Sequence, residues 1–204
     1  MFIKSLFSFS PYLFEVLILS LVRAFIAIDV DERIVDELVK VQEAMASMNL
    51  DIKFVERENI HLTLKFLGEI TADRVNGVCD VMRGLKASPF TLEVKGLGAF
   101  PSVTRPRVVW AGVGEGGSNV IEIYRFLDSG LRKLNFKSEG EEFTPHITLG
   151  RLRSDRNVRS LSSFLMNYGE KVFGSFIVTS VRLKKSVLTP RGPIYSNLYE
   201  IKLV

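Results

Sequence analysis

The residues best placed to do chemistry are the only two histidines of the chain, and each opens the same pattern: His61-Leu62-Thr63-Leu64 and His146-Ile147-Thr148-Leu149. On an extended strand the histidine and threonine of each copy share one face, about 7 Å apart, while the intervening apolar residues point the other way, into a core. Each copy therefore presents one imidazole and one hydroxyl. Histidine is the side chain whose unperturbed titration lies near neutral pH, so two imidazoles can act as acid and base around one reacting centre. Two hydroxyls can donate to oxygens on which charge accumulates. Around an anionic phosphorus, one imidazole would take the proton of the attacking group and the other would protonate the leaving oxygen, on opposite sides of an in-line displacement. This is the logic of cyclic phosphodiester hydrolysis. The two motifs are nearly equivalent, so these residues leave open which histidine is acid and which is base.

Other chemistries fit less well. Two histidines with no cysteine or carboxylate cluster nearby are a poor zinc set, and neither metal nor cofactor is expected. No serine or cysteine nucleophile is tied to either histidine by a recognisable motif. The glycine-rich run at 114–118 lacks the G-x-x-x-x-G-K-[ST] pattern and reads as a linker whose Ser118 caps a helix. Arg151, five residues after His146, would fall on the wrong face of a regular strand. A bulge or turn at Gly150 would return it to the histidine face as a phosphate clamp, and without one it is a solvated arginine. Arg105, Arg107, Arg153, Lys184, Lys185 and Arg191 are further candidates for an RNA-backbone track. Phe66, Phe100, Trp110 and Tyr195 are candidates for base stacking. Trp110, in an apolar strand, reads as core, and Phe100, in a loop beside Pro101, is the better stacking candidate.

The elements that must hold these residues follow from periodicity. Residues 23–30 are apolar on both faces and read as a central strand, with Asp29 or Asp31 capping the next helix. That helix carries Ile34, Leu38, Val41, Met45 and Met48 at helical spacing. A short strand at 51–55 and a charged turn lead into the first motif strand, 60–67, ended at Gly68. Thr71 caps a helix with Val75, Val78, Met82 and Leu85 on one face. Strands follow at 90–95, 97–100 and 108–113, then a helix with Val120, Ile123, Leu127, Leu131 and Leu134. The second motif strand spans 141–152, with Pro145 near its start. Ser154 caps a last helix carrying Val158, Leu161, Leu165 and Tyr168, and strands at 176–187 and 195–204 finish the chain. The order implies an α+β fold of two pseudo-symmetric lobes, each an antiparallel-rich sheet with helices packed outside, sharing a central cleft.

The chain has 204 residues, a length that one bilobal domain over 23–204 can use. Its net charge of +4 suits a polyanionic partner. A single cysteine, Cys79, excludes an internal disulfide, fits a reducing, cytoplasmic setting, and reads as a small core residue. Residues 1–22 are apolar but interrupted by Pro11 and Glu15, too short to span a membrane cleanly, and lack a small-x-small cleavage site. They read as an extension upstream of the domain, with Val22 as an alternative start; a membrane anchor is the other reading, and no stable membrane association is expected.

The paired H-[LI]-T-L motifs, the RAFIAIDV stretch and HLTLKFLGEI resemble the 2H phosphoesterase superfamily and, within it, the RNA 2′,3′-cyclic phosphodiesterases, also called the 2′-5′ RNA ligase family. The likeness runs from about Arg23 to the C-terminus and leaves residues 1–21 unmatched. It implies a two-lobed fold with both motifs facing one cleft, and hydrolysis of RNA 2′,3′-cyclic phosphate ends to 2′-phosphomonoesters by a monomer without a metal. It also implies reversible 2′-5′ joining of tRNA halves. By resemblance, His61 is the proton donor, His146 the proton acceptor, Thr63 and Thr148 the phosphate-binding hydroxyls, and Arg151 a further phosphate-binding residue. Action on small cyclic nucleotides, or RNA binding without turnover, are the alternatives.

Overall fold

The computed structural model describes residues 21–138, 143–190 and 192–204. Among these, nine strands and four α-helices follow in the order β1 (Val22–Asp29), α1 (Glu32–Ala46), β2 (Ile52–Phe54), β3 (His61–Ile70), α2 (Ala72–Arg83), β4 (Phe90–Ser102), β5 (Arg105–Val113), α3 (Gly117–Lys133), β6 (His146–Leu152), α4 (Val158–Asn167), β7 (Val172–Val178), β8 (Ser180–Thr189) and β9 (Gly192–Lys202). The architecture is α+β, as the order of elements implied. The expected extension at 1–22 lies outside the described residues except for Leu21 and Val22, and Val22 already pairs with Ile70.

All strands join one antiparallel sheet in the order β7-β4-β5-β6-β3-β1-β8-β9, with β2 on the side of β6. The sheet reads as two half-sheets, β9-β8-β1-β3 and β6-β5-β4-β7, which meet where Leu62 pairs with Ile147. The strands next to the two edges are exchanged. β4, which follows the first motif in sequence, flanks β5 in the second half-sheet, and β8, which follows the second motif, flanks β1 in the first. Helices cross over as well: α1 packs on β6 and β7, and α3 on β3.

The helices form where expected because their apolar stripes find this sheet. Ile34, Leu38, Val41 and Met45 of α1 are buried, as are Val120, Ile123, Leu127 and Leu131 of α3. Asp31 caps α1 by accepting from the Arg33 amide at 3.0 Å. Three expected caps are not made: Thr71 stands at the N-cap of α2 but its side chain accepts no capping hydrogen bond, and α3 starts on Gly116 and α4 on Asn157, both left-handed, so Ser118 lies inside its helix and Ser154 lies before its own.

Several strand limits differ from expectation. β3 runs past Gly68 to Ile70, because a positive φ at that glycine accommodates an irregularity without ending the ladder. The segments at 90–95 and 97–100 are one strand with an internal register shift, so Phe100 is a strand residue paired with Val108, not a loop residue. The segment at 176–187 spans two strands, parted at Thr179, that lie in different half-sheets. The second motif strand begins at His146; 141 and 142 lie outside the described residues.

One buried ion pair fastens the first motif strand to α3. Lys65 is 1% exposed, and its Nζ lies 2.9 Å from Asp128 Oδ1. Asp128 also accepts from Arg132 Nε at 2.8 Å and from Ser138 Oγ. Burial pushes the Asp128 carboxyl up, but the hydrogen bond and charge of Lys65 outweigh it and hold the group below the usual carboxylate range. Removing one member strands the other in a core. Asp128→Ala should therefore cost about 3–5 kcal/mol in urea unfolding, whereas Lys65→Met with Asp128→Leu should recover most of that loss. An Asp128→Ala variant as stable as the parent would contradict this account.

Candidate active site

The Leu62–Ile147 pair turns both apolar residues into the core, where each is fully buried. Extending the antiparallel register by one residue each way sets His61 opposite Thr148 and Thr63 opposite His146. Two imidazoles and two hydroxyls thus share the opposite face of the sheet. One step further, both strands break the alternation in the same way. In β3, Leu64 and Lys65 are both buried before Phe66 emerges, and in β6, Leu149 and Gly150 are both buried before Arg151 emerges. The ladders show the cause, a skipped residue between Lys65 and Thr63 against β1 and between Gly150 and Thr148 against β5. The bulge expected near Gly150 is therefore present and returns Arg151 to the histidine face. Its twin does the same for Phe66, which stands 85 residues before Arg151, the same interval that separates the histidines.

Each imidazole is held by the carbonyl two residues upstream. His61 Nδ1 lies 2.6 Å from the Asn59 carbonyl oxygen, and His146 Nδ1 lies 2.8 Å from that of Thr144. A carbonyl can only accept, so Nδ1 carries the proton in both rings and Nε2 is the working nitrogen. In the neutral ring of His61, Nε2 accepts from the Thr63 hydroxyl at 2.9 Å. Asn59 is itself buried and donates its Nδ2 to the Pro193 carbonyl at 2.9 Å, so the turn that leads to Tyr195 is fixed to the residue that orients His61.

The two histidines sit in different surroundings. His61 packs against Phe25, at 4.9 Å between ring centroids, and meets Tyr195 edge-on at 5.4 Å. Burial pushes its pKa down to about 4. The Asn59 hydrogen bond and the Asp29 charge oppose this, whereas Lys184 and His146 add to it. Asp29 is the cross-strand partner of His61 and is ion-paired to Lys184 at 2.5 Å and to Arg182. His146 instead pairs with Gly112 and touches Phe100 edge-on at 4.9 Å and Trp110 at 6.2 Å. Trp110 is thus not a core residue. It is half-buried beside His146, lying over Gly98, where a Cβ would overlap the indole.

A cleft of about 380 Å³ opens on this face. It is lined by His61, Thr63, Thr148 and Arg151, and its walls include Phe66, Tyr195 and Lys53. Phe66 is 59% exposed, so its ring is available to a ligand. Of the other basic candidates, Lys184 is committed to Asp29, Arg107 to Asp155 at 2.8 Å, and Arg191 lies outside the described residues. Lys185 alternates to the opposite face from Lys184, Arg105 sits at the exposed β4–β5 turn, and Arg153 follows Arg151 on the cleft side. Lys53, Asn59 and Tyr195's contact with His61 were not singled out from the sequence. Only the repeated 85-residue interval could have marked Phe66 as the partner of Arg151. Among the described residues, no group of three or more His, Cys, Asp or Glu could hold a metal ion, and no helix is long and apolar enough to cross a membrane.

The burial of His61 has a sign that can be measured. A histidine whose pKa falls on folding binds fewer protons than the unfolded chain between about pH 6.5 and 4, so stability should drop as pH is lowered through that window. NMR titration should place His61 near 4 in the free protein and higher with inorganic phosphate bound, because an adjacent anion favours the imidazolium. An unshifted His61 resonance in saturating phosphate would contradict an anion site at this ring.

A family model described as LigT like Phosphoesterase matches this chain twice, over residues 28–110 and 113–195, once per motif. The chain is 39% identical over 168 residues to a protein of Aeropyrum pernix named RNA 2′,3′-cyclic phosphodiesterase, covering 82% of this chain and 96% of that one. It is 38% identical over 186 residues to a protein of the same name from Methanothermobacter thermautotrophicus, covering 89% and 99%. Among solved structures, a protein of Thermus thermophilus shares the fold with a TM-score of 0.74 at 26% identity, covering 89% of this chain and 97% of that one. Escherichia coli LigT complexed with 3′-AMP does so with a TM-score of 0.75 at 24% identity, covering 90% and 99%. With both motif halves matched and relatives of this identity aligned along nearly their whole length, the chain belongs to the LigT-like phosphoesterase family.

Proposed function

We propose that this protein hydrolyses RNA 2′,3′-cyclic phosphate ends to 2′-phosphomonoesters, with His61 and His146 as general acid and base and without a metal. The observation that carries the reading is the quartet of His61, Thr63, His146 and Thr148 on one face of β3 and β6, with Arg151 returned to that face by a bulge. The names of its relatives support the same substrate.

In this mechanism the cyclic phosphate sits between the two strands. Thr63, Thr148 and the Arg151 guanidinium donate to the non-bridging oxygens, where charge builds in the transition state. His146, on the open side, takes a proton from water through Nε2 as the water oxygen bonds to phosphorus. His61 delivers its Nε2 proton to the 3′ oxygen as the P–O3′ bond breaks. The arriving diester supplies the negative charge that lets the buried His61 hold that proton. Phe66, Tyr195 and Phe100 offer ring faces or edges to the terminal base. With the 5′-hydroxyl of another strand in the place of water, the same ring opening, with O3′ again leaving, forms a 2′-5′ linkage, for which tRNA halves are the candidate substrate.

The test is an oligonucleotide with a 2′,3′-cyclic end, incubated with EDTA. A 2′-phosphate product is expected. Turnover confined to mononucleotides would favour a small cyclic nucleotide as substrate, and binding without turnover would leave an RNA-binding module. His61→Ala and His146→Ala should each lower turnover by about 10²-fold or more, and near-parent rates from either would refute its role. The pH dependence should be bell-shaped, with the basic limb at higher pH in kcat than in kcat/KM, because kcat reports the complex in which the diester supports the His61 proton.

A further inference from the structure

Three cations on the cleft side of β2 and β6 are not accounted for by the catalytic centre alone. Lys53 of β2 is paired in register with Arg151 of β6, so two positive side chains stand directly opposite each other on an antiparallel ladder. Such like-charge pairs destabilise a sheet. Arg153 follows on the same side, with Leu152 turned into the core between the two arginines, and its amide is tied to the Asp51 carbonyl. All three side chains are exposed, and none is ion-paired among the described residues.

Several other cations near this face are ion-paired, which these three are not. Lys184 and Arg182 share Asp29, Lys95 meets Glu170, and Arg107, close by but on the other face of β5, meets Asp155. An uncompensated row held at a cost to the sheet is the arrangement an external anion would complete. The row begins at Arg151 beside the scissile phosphate and leads away from it by residue steps of about 7 Å. Single-stranded substrates lay successive phosphates along just such basic grooves. A nucleotide with a 2′,3′-cyclic end carries one other phosphodiester, on its 5′ oxygen.

We infer that Lys53 and Arg153, flanking Arg151, form a second phosphate subsite that takes the 5′ phosphodiester of the terminal nucleotide. This rests on the activity proposed above and makes the preferred substrate a polynucleotide end rather than a free nucleoside cyclic phosphate. A nucleoside with a 5′-hydroxyl has nothing to place there.

Binding of unreactive products tests the subsite without requiring turnover. By calorimetry, a dinucleotide ending in a 2′-phosphate should bind at least tenfold more tightly than a nucleoside 2′-phosphate. Lys53→Gln with Arg153→Gln should abolish that preference and flatten the salt dependence of log affinity by about 0.7 per lost contact. Lys53→Arg and Arg107→Gln should both keep it. Equal affinities in the parent, or a preference unchanged in the double variant, would overturn the subsite. The double variant should melt at or above the parent temperature, since a like-charge pair has been relieved, so a lost preference is not lost folding. Turnover on the cyclic substrates is scored separately. Its absence with the binding preference intact would refute the hydrolase reading and leave the subsite standing.

Discussion

A single cross-strand contact, Leu62 against Ile147, holds the arrangement together. It is where the two half-sheets become one sheet. Its apolar side chains are fully buried, so slipping by one residue would drive His61 or Thr148 into the core and expose a leucine or isoleucine. The polar quartet therefore inherits its register from the burial of its neighbours. Histidine and threonine do not have to find each other, because the core finds its own partners and the alternate residues follow.

The same logic repeats one step along, with a break. Both motif strands bury two consecutive residues after the threonine, Leu64-Lys65 and Leu149-Gly150. In the first strand the second of these is a lysine, tolerated inside only because Asp128 meets it. In the second it is a glycine, against which Ile52 of β2 packs closely. The result is a matched but unlike pair on the cleft face, an exposed phenyl ring from one strand and a guanidinium from the other. Near symmetry in the backbone thus delivers different chemistry to the two sides of one centre. The histidines differ in the same manner: Asp29 and its cations stand across from His61, and a bare glycine stands across from His146.

Much of this was legible in the sequence, for reasons that can be named. The motif strands were readable because a period of two over His61–Leu64 and His146–Leu149 states both the polar and the apolar face. The helices were readable because Ile34, Leu38 and Val41, or Ile123, Leu127 and Leu131, keep one stripe. The return of Arg151 was legible only as a condition, since whether a bulge forms depends on what lies beside Gly150. Phe100 and Trp110 were misplaced because local composition, a neighbouring proline in one case and an apolar run in the other, is silent about which face a strand turns to a cleft. The helix starts at Gly116 and Asn157 displaced the expected serine caps by adopting left-handed backbone. Lys53 of β2 could not be seen at all, because it matters through its register with Arg151, a residue almost a hundred positions away.

The exchange of β4 and β8 between the half-sheets bears on how the molecule must assemble. β6 is flanked by β5 from the first half of the chain, and β1, which flanks β3, is backed by β8 from the second, so each half-sheet is completed only by strands from both halves. The two repeats are therefore not autonomous units joined by a hinge. Closing the sheet demands contacts between distant stretches of chain, the kind of topology that folds slowly because the loop entropy is spent before those contacts form. Severing the connection near Gly114 should leave two fragments that complete either half-sheet only in each other's presence, and an intertwined polypeptide of this sort resists the independent drift of its two histidine-bearing sides.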